Sequence, residues 1–593
     1  MFIYPIYVLA PLALAAFIAL LSGILDRKSQ LIKYIALAAV VTSFAIACGI
    51  IAQGSGIYAL HWFSFGGITF NITVSTFLLN KILLFLVGLI GIAIFIYSIG
   101  YMDEPENQNR YYFEMLIFTL TMMLFAISAN FISLFIAWEL LGITSYLLIG
   151  FWYAKAKVSE AARAAITTIL IGDISMLAAI VLFFNLYHTF NFYTLLGMAA
   201  SPLAVFPLTF LLIAVFTKSA QFPFSNWLQL AMEGPTPVSA FLHSSTMVKA
   251  GVFLLILLLP LFVQSHMLWI LLAVGLITVV FGAMNALSEN HIKKILAYST
   301  IEDLGLMIVA LGLNAVYAAL ALFIVQAFYK ALLFLSSGYV MKANHDREDI
   351  HRISVNSRLV SFSMLAAALS LAGLFPLSGF FGKTAIGIAA RPDLLVYAVL
   401  LGIDILSTLY IFRWFFVLKK NKKESTTTRF SKFPMKLGIG IVLALLIISS
   451  FAMYFAVNYI SILRINYIGN INDIAIETVL ILAGIAATWL FYRKKQIKAL
   501  LVREKNPNIA GKILYNNVFV WSAYLIVAEI IAAIAKAVFY FDIAFNKFTY
   551  ILGRLALLTG DALRAFENGE VNAYIAVFAA GLVFLIIFFI IKL

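Results

Sequence analysis

About sixteen apolar segments, each roughly 20 residues long, follow one another along this chain of 593 residues. As α-helices they would each span the hydrocarbon core of a bilayer, which is about 30 Å thick. Hydrophobic residues make up 64% of the chain and charged residues only 11%, a composition that excludes a soluble globular domain. The sequence therefore predicts an all-α polytopic membrane protein with about 16 transmembrane helices.

Lys and Arg are concentrated in every second loop between these segments. Three examples are residues 26–33, 289–294 and 419–436, which follow odd-numbered segments, whereas loops after even-numbered segments contain few basic residues. Because basic loops remain on the cytoplasmic side, the alternation predicts a multi-pass protein of a prokaryotic cell membrane with both termini outside. The net charge of +14 follows from this topology, so nucleic acid is not expected as a partner.

The chain contains one cysteine, Cys48, inside an apolar segment. A single cysteine excludes an intrachain disulfide and an iron–sulfur cluster held by cysteines of this chain. The sequence also lacks a phosphate-binding glycine-rich loop and a pair of transmembrane histidines suited to haem. We therefore expect no metal and no cofactor on this chain.

Ten titratable residues fall inside the predicted transmembrane segments 5 to 13. They are Glu139, Asp173, Lys218, His243, Lys249, Glu302, Asp303, Lys330, Lys383 and Asp404. One such residue can be a structural ion pair, but each charge at the bilayer centre costs at least ~2.5–3.5 kcal/mol. A row of alternating acids and bases through these segments indicates a polar path along the membrane plane. Lysine–carboxylate pairs that exchange protons could form a proton relay there.

Two prolines, Pro223 and Pro376, interrupt predicted helices 7 and 12. A proline inside a helix frees a backbone carbonyl, which in a membrane must face protein or a water-filled cavity. The surrounding sequences QFPFSNW and LFPLSGF align with each other and suggest two copies of a unit of about five helices. With an odd number of helices in each copy, the second copy is inverted relative to the first. Inverted repeats with one broken helix each are typical of transporters.

The segment 511–573 differs from the rest, since it lacks proline and mixes apolar runs with scattered charges. As one helix of about 60 residues it would extend ~90 Å, far more than the thickness of a bilayer. We expect it to lie laterally along the membrane or along other membrane subunits. The alternative is two ordinary transmembrane helices, near residues 516–541 and 546–560.

These observations divide the chain into six parts. The parts are the first three transmembrane helices (1–105), the first repeat with helices 4–8 (106–265), the second repeat with helices 9–13 (266–420), helices 14 and 15 with basic cytoplasmic loops (421–510), the lateral helix (511–573) and the terminal helix 16 (574–593).

Long motifs around the titratable residues resemble one known family. The motifs are WELLGITSYLLIGFWY (138–153), QFPFSNWLQLAMEGPTPVSAFLHSSTMVKAGVFL (221–254), IKKILAYST (292–300), QAFYKALLFLSSG (326–338) and GLFPLSGFFGK (373–383). With them the chain resembles the antiporter-like, proton-pumping membrane subunits of respiratory complex I, most of all the NuoL-type subunit. It is also similar to the large subunit of Mrp antiporters.

The resemblance implies a role for each of the main relay residues. Glu139 and Lys218 would form the pair of the first repeat, His243 and Lys330 would be central links, and Lys383 would lie toward the exit. Asp173, Lys249, Glu302, Asp303 and Asp404 would be secondary members.

The chain departs from the family pattern at two positions near the relay. Gln326 stands where the family often has a histidine, and Gln326 cannot titrate. Thr384 stands after Lys383 where an acid is usual, and Asp404 is a candidate substitute.

The resemblance predicts a proton-translocating subunit of a complex I-like quinone oxidoreductase, whose redox chemistry with NADH, ferredoxin or another donor takes place on other subunits. Those companion membrane subunits would contact the lateral helix. Two alternatives remain open: an Mrp-type Na⁺/H⁺ antiporter subunit and an ion-pumping subunit of a membrane-bound hydrogenase. The pumped ion, H⁺ or Na⁺, the electron donor and the quinone remain open as well.

Overall fold

The computed structural model describes residues 4–24, 30–103, 107–199, 201–420, 432–459 and 471–493, with isolated helical positions beyond residue 535. The chain divides into two units, residues 1–515 and 516–593, and the architecture below belongs to the first. The predicted lateral helix, its two-helix alternative and the terminal helix lie outside the described residues, apart from those isolated positions. They stay predictions.

The described part is mostly helical. Its α-helices are α1 (Ala10–Ile24), α2 (Ile32–Ala52), α3 (Leu78–Tyr101), α4 (Gln108–Ile127), α5 (Phe131–Ile149), α6 (Ala156–Tyr187), α7 (Phe192–Leu196), α8 (Val205–Lys218), α9 (Asn226–Leu230), α10 (Thr236–Ser244), α11 (Met247–Gln264), α12 (Leu268–Ser288), α13 (Ile292–Gly312), α14 (Val316–Ala343), α15 (Arg358–Ala372), α16 (Ser378–Ala390), α17 (Leu394–Lys420), α18 (Phe433–Tyr459) and α19 (Ile471–Arg493).

Twelve stretches of helix in the described residues are long and apolar enough to cross a membrane. Three shorter apolar helices, Pro202–Lys218, Arg358–Ala372 and Glu477–Leu490, lie where the sequence predicts helices 7, 12 and 15. The chain is therefore a polytopic helical membrane protein, as predicted. The total of sixteen spans and the inverted repeats remain predictions.

Both predicted helix breaks are present. Helix α8 ends at Lys218, and α9 begins only at Asn226, after a turn with Ala220 in the left-handed region (φ 50°) and a cis Phe222–Pro223 bond. Helix α15 ends at Ala372 and is followed by Gly373 at φ 85° and a cis Phe375–Pro376 bond. In both breaks the left-handed residue stands three positions before the proline.

The expectation of an all-α protein is wrong at one place. Residues Ile57–Phe65 (β1) and Ile68–Ser75 (β2) form an antiparallel hairpin, whose two-residue turn consists of Gly66 and Gly67. Both glycines have positive φ, 57° and 79°, which suits the tight turn that matches the twist of the strands. The Gly-Gly pair between two runs of β-branched and aromatic residues is the sequence signal for this hairpin.

Helices α13 and α14 form the centre of the bundle and are buried nearly all round. Neither has a distinct apolar face, which is expected of a helix surrounded by protein. Helix α12 packs very closely on α13, since a Cβ on Gly282 would lie only 2.7 Å from the backbone nitrogen of Glu302. Small residues allow such close approach of helices in membranes. Gly282 thereby sets the position of Glu302 in the bundle interior.

At one end of the bundle, loops that the charge pattern predicts to be cytoplasmic contact each other. Lys157 and Lys294 lie 2.9 and 3.6 Å from the Glu233 carboxylate, and His291 lies 3.0 Å from Glu348. We call these five residues the loop cluster. They belong to segments that follow predicted helices 5, 7, 9 and 11. Their proximity agrees with the prediction that the loops after odd-numbered helices lie on the same side of the membrane.

Candidate functional site

The first group of predicted relay residues is built around Lys218, at the last turn of α8. Its ammonium lies 3.4 Å from Asp173 Oδ1 and donates a hydrogen bond to the Trp138 carbonyl at 3.1 Å. The Trp138 indole donates to the same Asp173 oxygen at 2.8 Å, and Lys218 lies 4.7 Å from the Trp138 ring centre. Because Lys218 is 1% exposed, the carboxylate, the carbonyl and the ring together replace its hydration.

The structure does not join Glu139 directly to Lys218. Among the described residues, the carboxylate in ion-pair contact with Lys218 is Asp173, which the sequence places only as a secondary member. Trp138 and Gly142 lie four residues apart on one face of α5, against this pair. A Cβ on Gly142 would lie 3.5 Å from Lys218 Nζ and 3.6 Å from Asp173 Oδ2. Glu139 is half-buried beside this face.

The break after Lys218 leaves carbonyls that side chains satisfy. The Trp227 indole donates to the Thr217 carbonyl at 2.9 Å, and the Gln221 amide donates to the Ser219 carbonyl at 2.9 Å. A buried carbonyl without a donor costs about 1–3 kcal/mol. These two donors therefore allow the helix to end inside the bundle next to Lys218.

His243 lies at the centre, on α10. It is fully buried, and neither ring nitrogen has a hydrogen-bond partner among the described residues. The Phe334 ring centre is 5.9 Å away, and the Gln326 amide donates to the His243 backbone carbonyl at 3.4 Å. The helix is interrupted just after it, between α10 and α11. The sequence does not predict this third break.

Lys249 follows that interruption and has no carboxylate in direct contact within the described residues. Its ammonium donates to the Phe323 carbonyl and lies 4.8 Å from the Phe323 ring centre. Like His243, it is fully buried and polar in a largely apolar environment.

Lys330 forms the next group with Asp303. The ammonium lies 3.1 Å from Asp303 Oδ2 and donates to the Ser299 hydroxyl at 2.6 Å. Tyr329 donates to the same Asp303 oxygen at 2.9 Å. Lys330 and Asp303 are 0% exposed, so this is an ion pair in the protein interior with each partner hydrogen-bonded again.

Lys383 forms the last group. Its ammonium lies 3.2 Å from Asp404 Oδ1 and 3.8 Å from Glu302 Oε1. The Ser407 hydroxyl lies 3.3 Å from the ammonium and donates to Glu302. Asp404 thus stands beside Lys383, and Thr384 occupies the next position in the chain.

Glu302 and Asp303 connect the last two groups because they are neighbours on α13. Asp303 pairs with Lys330, and Glu302 lies beside Lys383. The result is a continuous row of titratable side chains from α14 through α13 and α16 to α17, with two adjacent acids between the two lysines. We call these five residues (Lys330, Asp303, Glu302, Lys383 and Asp404) the buried charge chain.

The sequence search leaves aside two charged residues that make contacts between helices, Glu477 and Arg413. Thr384 donates to Glu477 Oε2 at 2.5 Å, and Glu477 lies on α19, four residues after Asp473. Arg413, 2% exposed, donates to the carbonyls of Leu287 and Glu289 and to Asn290 Oδ1 at 2.7 Å. A search of the predicted helices beyond 13 for acidic residues would have found Glu477.

Outside the spans, the loop cluster holds one carboxyl whose titration is strongly changed. Burial by itself would raise the pKa of Glu348, but the hydrogen bond and charge of His291, together with the charges of Lys293 and Lys157, lower that pKa from 4.5 to about 2. Within the described residues, no group of three or more His, Cys, Asp or Glu is placed to hold a metal ion. The expectation of a chain without a cofactor remains a prediction.

Comparison with known proteins gives matches over both the site and the N-terminal helices. The family model described as NADH:quinone oxidoreductase/Mrp antiporter, TM, matches residues 128–405. The model described as NADH-ubiquinone oxidoreductase (complex I), chain 5 N-terminus, matches residues 62–112. The chain is 30% identical over 539 residues to the chloroplastic NAD(P)H-quinone oxidoreductase subunit 5 of Mesostigma viride, covering 84% of this chain and 83% of the relative. The chain therefore belongs to the family of NADH:quinone oxidoreductase chain 5 subunits.

Mammalian members are similar over the central part. NADH-ubiquinone oxidoreductase chain 5 of Papio hamadryas is 40% identical over 341 residues, 56% of this chain and 55% of the relative. That of Felis catus is 37% identical over 388 residues, 63% of this chain and 64% of the relative. The chain thus spans between half and two thirds of the length of these mammalian relatives.

Solved structures share the fold. The Mrp complex from a Dietzia species contains a chain with a TM-score of 0.73 and 22% identity, covering 99% of this chain and 63% of that one. The membrane-bound sulfane sulfur reductase, described as an archaeal respiratory membrane complex, gives a TM-score of 0.68 and 19% identity over 81% of this chain and 99% of that one.

Proposed function

We propose that this chain is the proton-translocating, NuoL-type subunit of a complex I-like quinone oxidoreductase, and that electron transfer on other subunits drives it. The observation that carries the proposal is the buried charge chain. Its two lysines and three carboxylates extend over four helices in the protein interior, where ion pairs bring little net stability. Titratable groups inside a membrane mark ion pathways more often than they mark structural supports.

The geometry suits stepwise proton transfer. An ammonium next to a carboxylate can pass its proton to that carboxylate, and the neutral pair that results needs less solvation in the interior. Asp303 and Glu302 belong to different pairs, so a change of charge at Lys330 is felt at Lys383 through adjacent carboxylates. The Lys218 and Asp173 pair supplies a second site of the same kind in the first predicted repeat.

The partners follow from this proposal. We expect companion membrane subunits, in the cell membrane of a prokaryote with both termini outside, and no redox cofactor on this chain. The lateral helix along 511–573 would contact those subunits.

The test uses the intact parent complex in sealed vesicles, with quinone reduction as the energy source. Lys330→Ala should reduce the rate of lumen acidification roughly tenfold or more, as expected when a positioned proton carrier is removed. Lys342→Ala is the matched control, since Lys342 lies on the same helix and pairs with Asp346 at 3.2 Å at its end. Wild-type acidification by the Lys330 variant, with the complex assembled, would contradict the proposal.

The Mrp-type alternative makes a different prediction in the same vesicles. A sodium gradient imposed without an electron donor should move no protons if the proposed function is correct. Proton movement driven by sodium alone would favour the antiporter. If electrons from a donor produce hydrogen instead of reduced quinone, the membrane-bound hydrogenase would be favoured.

A further inference from the structure

Glu477 adds a further carboxylate near Lys383, and it comes from a helix outside the two predicted repeats. It lies on α19, and its Oε2 accepts a hydrogen bond from Thr384, the residue next to Lys383, at 2.5 Å. A Cβ on Gly387 would lie 3.4 Å from Glu477 Oε1, so the carboxylate rests against α16 at Gly387. An acid from a helix 93 residues away in sequence thus reaches the end of the buried charge chain.

A small cavity separates Glu477 from the Lys383 and Asp404 pair. Its walls include Lys383, Asp404 and Glu477, and its volume is about 10 Å³. A space of ~10–15 Å³ is the minimum that holds one water molecule. Most of its wall is apolar, and the side chains of Lys383, Asp404 and Glu477 are the polar groups of the wall that a water there would contact.

Along the buried charge chain, the side chains become more exposed toward this cavity. The side chains of Asp303, Lys330 and Glu302 are 0% exposed, that of Lys383 is 6% exposed and that of Asp404 is 24% exposed. Glu477 is itself half-buried. The buried charge chain therefore approaches the outside of the bundle at the contact between α16, α17 and α19.

We infer that Glu477 is the last proton-carrying carboxylate at the Lys383 end of the path. The inference rests on the proposed function. The Lys383 ammonium gives a proton to the Asp404 carboxylate, and the carboxylic acid so formed passes it across the cavity to the Glu477 carboxylate. Each N–H or O–H bond that breaks is replaced by a new O–H bond, and no electrons change place. Thr384 is a positioning residue that holds the Glu477 carboxylate toward the cavity.

The experiment compares variants of the complete parent complex in vesicles. Glu477→Gln keeps the size and the hydrogen-bond acceptor but cannot take a proton, and it should lower the pumping rate roughly tenfold or more. Glu477→Asp should pump, with the acid limb of its pH profile moved to lower pH, because aspartic acid is intrinsically stronger by about 0.4 of a pKa unit. A merely structural residue would not move that profile. Glu114→Gln, which neutralises a buried acid paired with Arg110 on α4, is the control and should leave pumping unchanged.

The outcomes separate this inference from the function on which it rests. Lost pumping in Lys383→Ala, together with wild-type pumping in Glu477→Gln, would overturn the role of Glu477 alone. Wild-type pumping in both variants would overturn the role of Glu477 and the proposed path together. Equal loss in Glu477→Gln and Glu477→Asp, with assembly intact, would also overturn the inference, because the effect would then depend on shape and not on titration.

Discussion

At the scale of single residues, each buried lysine of the site is held by a different set of groups. Lys218 has a carboxylate, a carbonyl and an indole ring, whereas Lys330 has a carboxylate and a hydroxyl. Lys249 has a carbonyl and a ring but no carboxylate in direct contact within the described residues. The lysines with a carboxylate partner are the ones that can exchange a proton with a neighbour in a single step.

A double-mutant cycle tests the Lys218 and Asp173 pair. Asp173→Asn should destabilise the protein by about 3–5 kcal/mol, because it leaves a buried ammonium without its counter-charge. Lys218→Met with Asp173→Asn should recover much of that stability and still fail to pump. Thermal unfolding in detergent and vesicle acidification measure the two effects. If the losses of stability in the two single variants simply add in the double variant, the two side chains do not interact.

At the scale of elements, the helix ends inside the bundle decide where polar groups can lie. Trp227 and Gln221 satisfy carbonyls at the break after α8, and the break leaves Lys218 at a helix terminus. Arg413 on α17 likewise donates hydrogen bonds to carbonyls at the C-terminal end of α12. A cation at a helix C-terminus is also favoured by the helix dipole.

Removal of Arg413 should loosen the end of α12. Arg413→Met keeps most of the side-chain volume but removes the donors to the Leu287 and Glu289 carbonyls, and the cost should be about 1–3 kcal/mol. The melting temperature of the purified protein measures it. Arg358→Met, at an exposed site at the start of α15, is the control and should be close to neutral. An equal shift in both variants would show that the Arg413 contacts contribute nothing specific.

At the scale of the whole molecule, the loop cluster connects segments that are far apart in sequence at one end of the bundle. Lys157 and Lys294 share the Glu233 carboxylate, while His291 contacts Glu348. The cluster holds together the connections on the side that the charge pattern predicts to be cytoplasmic. Its ion pairs are partly solvated, so each contributes modestly.

The cluster predicts a pH dependence of stability. The pKa of Glu348 is lowered to about 2 in the folded protein from 4.5, so its contribution is complete above about pH 4.5 and is lost as the pH falls through about 2. The difference in melting temperature between wild type and Glu348→Gln should therefore shrink from about pH 5 to about pH 3.5. Glu160→Gln, at an exposed site, gives the baseline. A difference that grows on acidification would contradict this assignment.

Local sequence was sufficient to predict much of the structure of this molecule. Apolar length predicted where the helices lie, Pro223 and Pro376 predicted two of the breaks, and the rule that charges avoid lipid selected the members of the site. The hairpin at 57–75 was missed although its Gly-Gly turn is a local signal. The third break, after His243, has no comparably strong local signal.

Which acid pairs with which base became visible only in the folded protein. The sequence determined the composition of the path, because the cost of a charge in the membrane acts on each residue separately. It did not pair Lys218 with Asp173, or bring Glu477 to Lys383, since such contacts depend on the depth and rotation of one helix against another. Those are set by packing at small residues such as Gly142 and Gly282, where a single Cβ would collide with or crowd the neighbouring helix.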